Sequence, residues 1–88
     1  MGYEYDPLKN ESNFEKHGLY LSEVDYFEWD TAIISEDFRL TYPEKRFEAK
    51  DYIEQSLHIL IFCFRKKNIQ VISLKKANRR EHITYAKT

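Results

Sequence analysis

Eighty-eight residues, 42% apolar and 16% aromatic, suffice for one domain with a single modest core. One cysteine excludes an intramolecular disulfide and a cysteine-built zinc site, and the longest apolar run, ILIFCF, is far shorter than the roughly 20 residues that span a bilayer. The formal net charge of −1 hides an asymmetry: residues 1–64 carry six Lys and Arg against fourteen Asp and Glu, while residues 65–88 carry eight against one. A split of that kind hints at an anionic partner.

The stretch YEYDPLKNESNFEKHG carries helix punctuation at both ends. Tyr3 to Tyr5 alternates like a short strand. Asp6 is a good N-cap, Pro7 suits the first helical position, and Gly18 suits the left-handed position after the last turn. Lys16 and His17 fall where cations favour the helix dipole. These signals predict a helix over 7–17. Ser22 followed by Asp25 resembles a capping box and predicts a short second helix over 22–28.

TAIIS is β-branched and reads as a strand over 31–35; EDFRLTYPEK is a loop broken at Pro43. RFEAKDYI alternates with a period of two and predicts a half-exposed strand over 45–52. HILIFCF reads as a central strand over 57–64 and IQVISL as a strand over 69–74. The turns EQS and RKKN make these three strands antiparallel neighbours. ANRREHITYAK can be a helix over 77–86. The sum is an α+β fold of residues 1–88: an antiparallel sheet of about four strands, two N-terminal helices and one C-terminal helix. The acidic, polar N-terminus does not read as a signal peptide, so the expected location is the cytoplasm, with no membrane association.

The basic block KKANRRE holds the candidate chemistry. It places Lys75 and Lys76 where the last strand meets the last helix, and Arg79 and Arg80 in that helix's first turn. A helix N-terminus prefers acids, and Glu81 is the only acid nearby. The block therefore reads either as a phosphate-binding patch or as a solvated face. Arg65, Lys66 and Lys67 lie at the far end of the strand, roughly 20 Å away at 3.4 Å per residue, a distance that an oligonucleotide bridges.

His17, His58 and His82 lack metal-ligand spacing, and no metal or cofactor motif is present. His17 reads as a helix-end residue, His58 as structural and His82 as solvated or a proton donor. Cys63, inside an apolar run, reads as a buried inert thiol. Arg46 reads equally as a cross-strand ion pair or a phosphate clamp, and Tyr85 as packing on the sheet or stacking on a base.

The same residues, taken together, resemble the BrnT family of toxins. Tyr3, Glu4, Tyr5, Asp6, Pro7 and Lys9 match its aromatic-E-aromatic-D-P-x-K start. Lys16, His17 and Gly18 match its K-H-G helix end. Arg46 and Phe47 match its E-R-F strand start, with Lys45 in place of Glu. Ile72, Ser73, Ala77, Glu81 and Tyr85 match its I-S-A-R-x-A-x-x-x-E-x-x-x-Y end. Leu74 and Lys75 stand in place of Ala-Arg; Lys keeps the charge and loses the bidentate fork.

The resemblance implies a small RelE-like fold and an endoribonuclease toxin of a type II toxin–antitoxin pair. It also implies an RNA substrate and a BrnA-like antitoxin that binds operator DNA, with a two-plus-two heterotetramer as the assembly. Cleavage in such toxins is expected to be metal-free and to leave 2′,3′-cyclic phosphate ends. On that reading Lys75, Arg79 and Arg80 hold phosphate, with Arg46, Arg65 and Lys76 as further RNA contacts. His17 and Tyr85 are the candidates for proton transfer, with Glu48 behind them. Two other classes remain open: a non-catalytic nucleic-acid-binding module, and a protein-interaction domain using the same basic patch.

Overall fold

The computed structural model describes residues 2–87. In chain order it holds β1 (Tyr3–Glu4), α1 (Pro7–His17), a 3-10 segment (Leu21–Tyr26), β2 (Ile33–Glu36), β3 (Phe47–Ile53), β4 (Ser56–Arg65), β5 (Asn68–Lys76) and α2 (Arg79–Ala86). The sheet order is β1-β5-β4-β3-β2. β2, β3, β4 and β5 are antiparallel neighbours, as the tight turns require.

The expected sheet of about four antiparallel strands is corrected to five strands in a mixed sheet. Tyr3 and Glu4 pair in parallel with Ile69 and Gln70 of β5. No hairpin leads into β1, so its alternation gave no partner. α1 follows the sequence signals residue for residue. Asp6 accepts from the Leu8 N–H at 2.8 Å, and Gly18 sits at φ 73° with its N–H donating to Phe14 O. A Cβ at Gly18 would meet nothing, so the backbone angle alone selects glycine there.

The short second helix expected over 22–28 is a 3-10 segment that begins one residue earlier, at Leu21, and ends at Tyr26. Ser22 is not its cap; Tyr20 occupies that position and its side chain makes no capping bond. Leu21, Val24 and Phe27, spaced by three, all face the core. Leu21 and Val24 lie one turn apart in a helix of three residues per turn, and Phe27 follows as its extended C-cap residue.

Two layers of side chains follow from the pleat. One sheet face carries Ala49, Ile53, Leu60, Phe62, Ile69, Val71 and Leu74, which pack with Leu21, Val24 and Phe27 into the main core. α1 is tied to this assembly by the buried Asn13. Its amide donates to Leu19 O and Leu74 O at 2.8 and 2.7 Å and accepts from Leu74 N at 3.1 Å. Asn13 thus satisfies backbone groups of β5 beyond the end of its short partner β1.

The other face carries Leu57, Ile59, Ile61 and Cys63 of β4, all buried, flanked by Glu48, Lys50 and Tyr52 of β3 and by Ser73 and Lys75 of β5. A β-bulge leaves Ile72 as the extra residue between Val71 and Ser73, because Ile61 pairs with Ser73 and Phe62 with Val71. α2 packs on this second face, where the Tyr85 and Tyr52 rings meet edge-on with centroids 6.1 Å apart. Among the described residues no helix is long and apolar enough to cross a membrane.

Candidate functional site

The second sheet face, where α2 leaves it uncovered, holds a cleft of about 380 Å³. Ile59, Ile61, Ile72 and Ser73 line it together with Arg39, Tyr42, Arg46, Glu48, Lys75, Glu81 and His17. Apolar strand residues meet cations and carboxylates there, a composition suited to a polar ligand held by a few placed groups.

Each of its cations has an acid beside it. Lys75 Nζ lies 3.0 Å from Glu81. Glu81 is also the N3 residue of α2 and accepts from the Asn78 N–H at 2.8 Å, while Asn78 Oδ1 accepts from the Glu81 N–H at 2.9 Å. This capping box starts α2 at Arg79 rather than at 77, and it joins the helix start to the strand end. Burial alone would raise the Glu81 carboxyl, but the Asn78 N–H, the Lys75 ammonium and the charge of Lys50 hold it below the ordinary value. The acid beside the basic block is therefore bonded within the fold.

Arg46 Nε lies 3.3 Å from Glu44, two residues away rather than across a strand, and the guanidinium sits 4.2 Å over the Tyr42 ring. Arg39 forms a bidentate pair with the buried Asp37, Nε and Nη2 each at 2.9 Å. That pair, opposed by burial and helped by the Arg39 N–H and the Tyr42 hydroxyl, lowers the Asp37 carboxyl to about 2. Lys50 lies 3.4 Å from Glu48.

Of the residues singled out in the sequence, His17, Arg46 and Lys75 share the cleft with Glu48. Arg79 and Arg80 are exposed on the first turn of α2, outside the cleft lining, and make no ion pair among the described residues. Arg65 stands at the opposite end of β5, bordering a separate open groove with Tyr3, Glu4, Tyr5 and Asp6. Lys76 borders another, with His58 and Glu23.

Tyr85 packs on Tyr52, and burial, with the charge of Asp51, raises its hydroxyl above the ordinary value, so it holds its proton at neutral pH. His58 is buried with Nδ1 2.7 Å from Ser56 O, and burial lowers it, so its ring is neutral and structural. Cys63 is buried beside Gln70 and burial raises its thiol, which suits an inert side chain.

Sequence reasoning missed Arg39, Tyr42 and Asp37. They lie in a stretch that reads as loop, and the available signal was the Asp-x-Arg spacing with a Tyr three residues on. It also missed Asn78 as the N-cap of α2, although Asn followed by Glu three residues later is a helix-start pattern.

The model of a family described as ribonuclease toxin, BrnT, of type II toxin-antitoxin system matches residues 5–81, most of the chain. No curated protein matches it.

Proposed function

Because this chain belongs to the BrnT family of ribonuclease toxins of type II toxin–antitoxin systems, we propose that its cleft cleaves single-stranded RNA without a metal. Membership implies an RNA substrate and an antitoxin protein as partner. The observation that carries the reading is the meeting of Lys75, Arg46 and His17 with Glu48 in one cleft of the sheet.

The chemistry is an in-line transfer within one nucleotide. The ribose 2′-oxygen attacks the adjacent phosphorus, its proton passes to a base, and the bond to the 5′-oxygen breaks as that oxygen gains a proton. The products are a 2′,3′-cyclic phosphate and a 5′-hydroxyl. Negative charge grows on the non-bridging oxygens of the phosphorane, so fixed cations that meet it there lower the barrier. Lys75 and Arg46 supply that role within the cleft. Arg79 and Arg80, close by on α2, draw in the flanking backbone. Glu48 and His17 are the groups placed for proton transfer. Tyr85 serves to dock α2, and Arg65 and Lys76 contact RNA outside the cleft.

The partner is a BrnA-like antitoxin that covers the cleft and alone contacts operator DNA, in a two-plus-two assembly in the cytoplasm. The test is cleavage of single-stranded RNA in EDTA, comparing wild type with the Lys75→Ala, Arg79→Ala, Arg80→Ala triple variant. Cyclic-phosphate ends from the wild type alone support the reading. Binding without scission, lost in the triple variant, makes the chain a nucleic-acid-binding module instead.

A further inference from the structure

The loop between β2 and β3 holds a charged assembly of which the cleavage chemistry uses only Arg46. Asp37 is its hub. The Asp37 side chain is 2% exposed, yet both carboxylate oxygens are occupied. Oδ1 accepts from Arg39 Nε at 2.9 Å and from the Arg39 backbone N–H at 3.1 Å. Oδ2 accepts from Arg39 Nη2 at 2.9 Å and from the Tyr42 hydroxyl at 3.2 Å. The Asp37 backbone N–H donates to Arg46 O at 2.7 Å, and Arg46 lies over the Tyr42 ring. One buried carboxylate thereby sets the orientation of Arg39 and, through Tyr42, the surface on which Arg46 rests.

A guanidinium has five N–H donors in one plane. Side-on pairing through Nε and Nη2 takes up two and leaves three, both on Nη1 and one on Nη2. Arg39 is 65% exposed and lines the cleft. The three remaining donors belong to a side chain that shares its cleft with Arg46 and Lys75, the two cations assigned to the reacting phosphate. A planar fork already fixed on one side loses little freedom when it meets a second anion.

We infer that Arg39 binds a phosphate of the RNA strand next to the one that reacts, and that Asp37 and Tyr42 are positioning residues for it. This rests on the proposed RNA reading of the cleft and assigns it a second phosphate subsite. The flanking phosphate fixes the register of the strand without joining the transition state.

The experiment uses the full chain and a single-stranded oligoribonucleotide with methylated 2′-hydroxyls, which binds without providing a nucleophile. Affinity is measured across a range of salt for wild type, Arg39→Gln, Arg39→Lys and Asp37→Asn, with thermal unfolding of each as a control. Arg39→Gln is expected to reduce the log–log salt slope by about 0.7, one phosphate contact. On cleavable RNA it is expected to raise KM about tenfold with kcat within about twofold, the pattern of binding shared by ground and transition states. Arg39→Lys keeps the slope and recovers part of KM, because the charge remains while the fork is lost. Asp37→Asn raises KM about threefold at unchanged slope; if that variant does not fold, Arg39→Gln decides alone.

An unchanged slope and KM in Arg39→Gln, with a wild type that binds and cleaves, overturns the subsite and leaves the ribonuclease reading standing. A fall in kcat at constant KM also overturns it, by placing Arg39 at the reacting phosphate. A wild type that neither binds nor cleaves overturns both.

Discussion

The cations of the cleft and those of the first turn of α2 are neighbours with opposite electrostatic settings. Arg39, Arg46 and Lys75 each lie against a carboxylate, while Arg79 and Arg80 are exposed and have no acid partner among the described residues. An ion pair lowers the net field of a cation and fixes its direction. An unpaired surface cation attracts over a Debye length, about 8 Å at physiological salt, and directs little. The two regions therefore divide the handling of a polyanion: α2 gathers it and the cleft orients it.

The sharpest break of that division is Lys75→Ala against Arg79→Ala/Arg80→Ala. Removing one fixed charge at a developing oxyanion costs on the order of 100-fold in rate. Lys75→Ala is accordingly expected to lower kcat about 100-fold, with a much smaller rise in KM, about threefold, from the lost ground-state contact. The double variant is expected to raise KM about tenfold at low salt, with the deficit shrinking as salt rises and kcat unchanged. Steady-state cleavage at two ionic strengths separates the two patterns. A kcat loss in the double variant would show that α2 orients as well as gathers.

How much of this was legible in the sequence depends on whether local chemistry decided it. Asp6, Pro7 and Gly18 bounded α1 because caps and left-handed glycine act within a few residues. The run HILIFCF marked β4 because a strand buried on both faces has no alternative composition. β1 has two residues and a partner at the other end of the chain, so no local signal fixed its direction. A short helix was legible near Ser22, but its 3-10 form was not, because residues three apart share a face in either kind of helix, and its cap position is Tyr20 rather than Ser22.

At the site, His17, Arg46 and Lys75 stood out through charge and family motifs, and the fold gathers them. Asp37 did not, because its burial is a tertiary property: in sequence it is one acid in a polar loop. Arg65 and Lys76 looked equivalent to Lys75 as charges. The strand separates Arg65 from it by its length, and the pleat turns Lys76 to the opposite side.

Asp37 also separates the paired region from the unpaired one by pH. Its folded pKa, about 2, lies below the ordinary carboxylate value of 3.8. A depressed value means stabilisation that is present above the unfolded pKa and lost as pH falls through the folded one. Arg39 is 65% exposed, and screening reduces the contribution to about 1 kcal/mol. Urea unfolding at pH 5 and at pH 2 is expected to show that loss in wild type and to show it diminished in Asp37→Asn. Arg80→Ala, with no carboxylate partner among the described residues, should retain the full wild-type loss. An equal loss in Asp37→Asn would assign the acid sensitivity to other carboxylates.

The smallest expected effect tests whether pairing restrains the cleft at all. Lys75 and Glu81 are 33% and 23% exposed, so their attraction is modest, and Glu81 has a second task at the N3 position of the capping box. Glutamine fills that position with the same reach. Glu81→Gln therefore preserves the helix start and frees Lys75 from its anion. Affinity for the methylated oligoribonucleotide is expected to rise about threefold, with the thermal midpoint nearly unchanged. Glu81→Ala also frees Lys75 but removes the box, and is expected to lose about 1 kcal/mol of stability. If Glu81→Gln binds no more tightly than wild type, the ion pair orients Lys75 without competing for it, and the contrast between cleft and helix is one of geometry rather than of available charge.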